Sequence, residues 1–73
     1  MLSETTEDLL MLLKSFELST DTAMGIMSYL GDSQENQKAM INSIIARYEE
    51  KGTVTEEEML KMTIMITCKE DSI

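Results

Sequence analysis

The chain has 73 residues, with 14 acidic and 6 basic side chains for a net charge of −8, and 42% of it is apolar. That length sets a single domain with a marginal core, and the apolar fraction excludes a disordered acidic tail. The charge argues against direct nucleic-acid binding and against anionic membranes, both of which rely on lysine and arginine.

The sequence starts on Met1 and reads as a complete short frame, one helical domain over residues 1–73 with frayed ends at about 1–4 and 69–73. Proline is absent, and the three glycines are Gly25, Gly31 and Gly52, a composition that favours helices with short connections. Cys68 is the single cysteine, so no internal disulfide can form. The first residues are acidic (Glu4, Glu7, Asp8), unlike the basic start of a signal peptide. The expected compartment is the cytoplasm.

Four helices are predicted in chain order, at about 6–17, 20–30, 33–51 and 56–67. The first has Thr5 and Asp8 at capping-box spacing, with Leu9, Leu12, Leu13 and Phe16 on one face and Met11 off it. The second starts on Ser19 as N-cap, aligns Ala23, Ile26, Met27 and Leu30, and stops at Gly31. For the third, Asp32 and Glu35 suggest a capping box, Met40, Ile41, Ile44, Ile45 and Tyr48 form a stripe, and Lys51-Gly52 marks the end. Thr55 and Glu58 form another capping box for the fourth, whose first turn is loaded with Glu56, Glu57 and Glu58. Residues Met62 to Cys68 also alternate like a strand, but a single strand has nothing to pair with, so the reading remains helix. Short connections make the expected fold an all-α, compact bundle of four short helices.

The residues exclude most chemistry. There is no histidine, hence no common general base or zinc ligand. Cys68 has neither an activating histidine nor a second cysteine, and is expected to pack as a small core residue. The glycines are too scattered for a phosphate loop. A calcium loop starting at Asp32 fails at its sixth position, Gln37, and at its twelfth, Ser43. A helix-turn-helix reader built on the second and third helices would point Asp32 and Glu35 at phosphate. No enzyme activity, cofactor or metal is expected.

The succession of caps and helices over residues 18–62 resembles short helical open reading frames of bacterial chromosomes and mobile elements. The resemblance consists of caps and periodicity and carries over no functional residues.

One feature points to function. The fourth helix is apolar all round: Leu60, Ile64 and Cys68 lie on one side, Met59, Met62 and Ile66 on nearly the opposite side, and Met65 between. Tyr29 stands beside Gly25 on the outer side of the second helix, and the chain carries 8 methionines, which suit adaptable surfaces. With Leu60 and Ile64 taken as core, the interface candidates are Met59, Met62, Met65, Ile66 and Tyr29. The expected function is a non-catalytic protein–protein interaction module, with another protein or a second copy of itself as partner. The alternative is an acidic inhibitor from a mobile element that mimics nucleic acid toward a nucleic-acid-binding enzyme, using Glu49, Glu50, Glu56, Glu57 and Glu58.

Overall fold

A computed structural model of the chain describes residues 4–68, and these form four helices without a strand: α1 (Glu4–Ser15), α2 (Thr20–Leu30), α3 (Gln34–Lys51) and α4 (Glu56–Cys68). The expected fraying falls outside the described residues except at Glu4, which is already helical. Residues Met62 to Cys68 are helix. Among the described residues, no helix is long and apolar enough to cross a membrane.

The helices pack as two hairpins, α1–α2 and α3–α4, laid side by side. Thr6 meets Gln37 at one end of the α1–α3 contact and Phe16 meets Tyr48 at the other, so these two helices run parallel. The α3–α4 pair is antiparallel, with Arg47 against Glu58 at one end and Met40 against Thr63 further along. Thr22 donates to Glu56 where α2 and α4 both begin, and Tyr29 and Ile64 face the same groove beyond, so α2 and α4 also run parallel. Leu9, Leu13, Ala23, Ile26, Leu30, Met40, Ile44 and Met59 fill the centre, one contribution or more from every helix. Val54, in the last connection, closes the core from the loop side.

The helix ends show where local chemistry decided and where it did not. Ser19 caps α2 by accepting from the Thr22 N–H at 3.2 Å. Thr55 and Glu58 form the expected reciprocal box: the Glu58 N–H donates to Thr55 Oγ1 at 3.2 Å, and the Thr55 N–H to Glu58 Oε1 at 2.9 Å. Gly31 and Gly52 close α2 and α3 at φ 70° and 81°, conformations that side chains disfavour.

Two expected boxes do not form. Thr5 lies inside α1, which already begins at Glu4. At α3 the cap is Ser33, which accepts from the Asn36 N–H at 3.2 Å, so the helix starts one residue later than expected. Helix α1 also stops at Ser15, not at Glu17, because Glu17 itself takes a left-handed φ of 61°.

Gln37 is buried, continuing the Met40–Ile44 stripe with a polar residue. It is accommodated because both of its ends are bonded. Thr6 Oγ1 donates to Gln37 Oε1 at 2.9 Å, and Gln37 Nε2 donates to the Gly31 carbonyl at 2.9 Å. One side chain thereby ties α1, the α2 terminus and α3 together.

Candidate interaction surface

The orientation of α4 decides which of its own apolar residues are left for a partner. Met59 and Thr63 are 0% and 2% exposed, whereas Leu60 and Ile64 are 43% and 49% exposed. This inverts the expected arrangement. Met59 is core and not interface, and Met62 and Ile66 are half-buried against the core. Thr63 lies on the buried side with Met59. Its hydroxyl donates to the Met59 carbonyl at 2.8 Å and lies 3.6 Å from the Met40 sulfur. With its hydroxyl satisfied by its own helix one turn back, Thr63 can be buried and completes a Met59–Thr63–Ile66 stripe that is interrupted in the sequence. Cys68 is exposed, not packed in the core.

Among the described residues, open grooves lie on both flanks of α4. Between α2 and α4, a groove of about 270 Å³ has Ile26 and Thr63 as its floor and Gly25, Tyr29, Leu60 and Ile64 along its sides. Tyr29 is 58% exposed there. Between α3 and α4, a wider groove of about 490 Å³ is lined by Ser43, Ala46, Arg47, Met62, Met65 and Ile66. Met65 is the most exposed large apolar side chain among the described residues, at 72%. The interface candidates are therefore divided: Tyr29 belongs to the first groove, Met62, Met65 and Ile66 to the second, and Met59 to neither. The first groove is the more apolar. The second is bordered by the ion pair of Arg47 and Glu50 at 3.7 Å. Leu60 and Ile64, read as core from the sequence, are the residues gained by the surface.

The acidic candidates do not form a free row of anions. Glu58 faces Arg47 at 3.7 Å and Lys51 at 3.2 Å, Glu57 faces Lys61 at 3.9 Å, and Glu50 faces Arg47. Glu56 accepts from the Thr22 hydroxyl. Glu49 is exposed on α3. Three of the chain's cations are thus concentrated on the carboxylates that a nucleic-acid mimic would present. Among the described residues, no group of three or more histidine, cysteine, aspartate or glutamate side chains could hold a metal ion.

The Thr55 N–H bond, followed by the Lys51 bond, holds the Glu58 carboxyl below its ordinary value of 4.5. A depressed folded-state pKa stabilises the fold fully above 4.5, and the contribution is lost as pH falls through the lower folded value. Glu58→Gln should therefore lower the melting temperature at neutral pH and flatten its decline on acidification below 4.5. Parallel melting curves across that range for parent and variant would show the Glu58 bonds to be idle.

Comparison of the chain with protein-family models, with curated proteins and with solved structures gives no match.

Proposed function

We propose that this protein is a non-catalytic interaction module whose working surface is the groove between α2 and α4. The observation that carries the reading is the exposure of Leu60, Ile64 and Tyr29 around Gly25, outside a core that is filled without them. Large contiguous exposed apolar patches, beyond a few hundred Å², are uncommon on monomers and mark contact sites. Met65 and the α3–α4 groove form a secondary apolar surface on the other flank of the same helix. In this reading the remaining acidity keeps a protein with an open apolar groove soluble. A reducing cytoplasm would leave the exposed Cys68 thiol free.

The test is photo-crosslinking in living cells, with a benzophenone amino acid in place of Tyr29 and, as a control, of the exposed Met11 on α1. A discrete adduct is expected from position 29 and none from position 11. The double change Leu60→Ser and Ile64→Ser should remove the adduct while leaving the circular dichroism spectrum unchanged. Equal adducts from both positions, or an adduct indifferent to the serine changes, would refute the reading.

A further inference from the structure

We infer that the α2–α4 groove accepts an amphipathic helix of another protein, apolar along one stripe and basic at its flanks. The inference rests on this groove being the working surface and adds the chemistry of its occupant.

Gly25 is the first observation. It lies inside α2, exposed, and a methyl group built on it would meet nothing within 4 Å. Glycine weakens a helix interior relative to alanine, and no close internal contact requires its missing side chain. Its advantage is outward: a second backbone can approach α2 closely at this point. The second observation is the absence of a strand among the described residues. An extended peptide laid over Ile26 and Leu60 would find no sheet edge for its backbone groups, whereas a helix arrives with its backbone bonds already made.

Charge selects between a foreign helix and a second copy. Because α2 and α4 run parallel, both begin at one end of the groove, where Asp21, Glu56 and Glu57 stand in their first turns. Three carboxylates, against the Lys61 ammonium and two helix N-termini of about half a charge each, leave that end negative. At the other end, among the described residues, neither helix has a basic residue in its last turn, and Asp32 follows Gly31. Another copy of a chain of net charge −8 would bring like charge to both ends. A helix with basic flanks complements both, and its apolar stripe complements the middle.

Three synthetic peptides of about 18 residues test this by titration into isotope-labelled protein observed by NMR. One has leucines three and four apart with lysines elsewhere, the second has glutamates for the lysines, and the third keeps the first composition but scatters the leucines around the helix. The first should bind at least about tenfold more tightly than the others, with shifts centred on Gly25, Tyr29, Leu60 and Ile64. Gly25→Leu should weaken that binding by at least about tenfold without lowering the melting temperature. Equal binding of the ordered and scattered peptides, shifts centred on Met62 and Met65, or no binding at all would overturn the inference. Self-association of the free protein through Leu60 and Ile64, seen by sedimentation, would overturn the occupant while leaving the interaction reading in place.

Discussion

Ile44→Asp leaves this chain without a cooperative fold. Ile44 is fully buried in the middle of the longest helix, within the cluster shared by all four helices. Truncating a buried isoleucine alone costs about 2–5 kcal/mol, and an aspartate adds a carboxylate with no cation to meet it. Domains of this size hold only roughly 3–5 kcal/mol from a single core, so the loss equals or exceeds the reserve. Far-ultraviolet circular dichroism should show most helix gone and no melting transition. Ile44→Val, which keeps the shape and removes one methyl, should cost about 0.5–1.5 kcal/mol and retain the transition. A cooperative melt of Ile44→Asp within a few degrees of the parent would mean that α3 turns another face inward.

The helix count and most boundaries were legible because short-range chemistry sets them. Ser19 and the Thr55–Glu58 box bond within three residues of themselves, and Gly31 and Gly52 meet backbone demands that few other residues satisfy. The end of α1 was not legible, since Glu17 takes a left-handed conformation that its side chain does not advertise. Gln37 and Thr63 were missed as interior residues for a related reason. Their burial depends on bonds completed elsewhere, for Gln37 with Thr6, 31 residues away. For Thr63 the bond is local, but a hydroxyl satisfied by its own helix cannot be told from a solvated one by periodicity. With Thr63 unread, the sequence reading took Leu60 and Ile64 as the better-shaped core residues and the methionines as the adaptable surface. It moved Met59 outward and Leu60 and Ile64 inward, while Tyr29, whose helix was read in the right orientation, was placed correctly on the surface.

The rotation of α4 makes opposite outcomes expected from substitutions at Met59 and Ile64, on different sides of one helix. Met59→Glu puts a carboxylate into a position with no exposure at all, among apolar residues of α1, α2 and α3. It should unfold the protein for the same reason as Ile44→Asp. Met62→Glu with Ile66→Lys, on the half-buried side of the same helix, should also destabilise, since both side chains pack against the core. Ile64→Lys places its charge on the open side of the helix, where half the side chain is already in water. It also adds a cation to the C-terminal half of α4, which has none in its last turn, and offsets part of a net charge of −8. Surface changes of this kind stay within about 0.5 kcal/mol, a shift of no more than about 4 °C for a domain this small. Thermal melts of the three variants give the fold readout, and the crosslink from position 29 gives the functional one. Ile64→Lys should keep the melt and lose the crosslink. If it unfolds while Met59→Glu melts like the parent, then α4 is turned the other way and its outward apolar face is the methionine face.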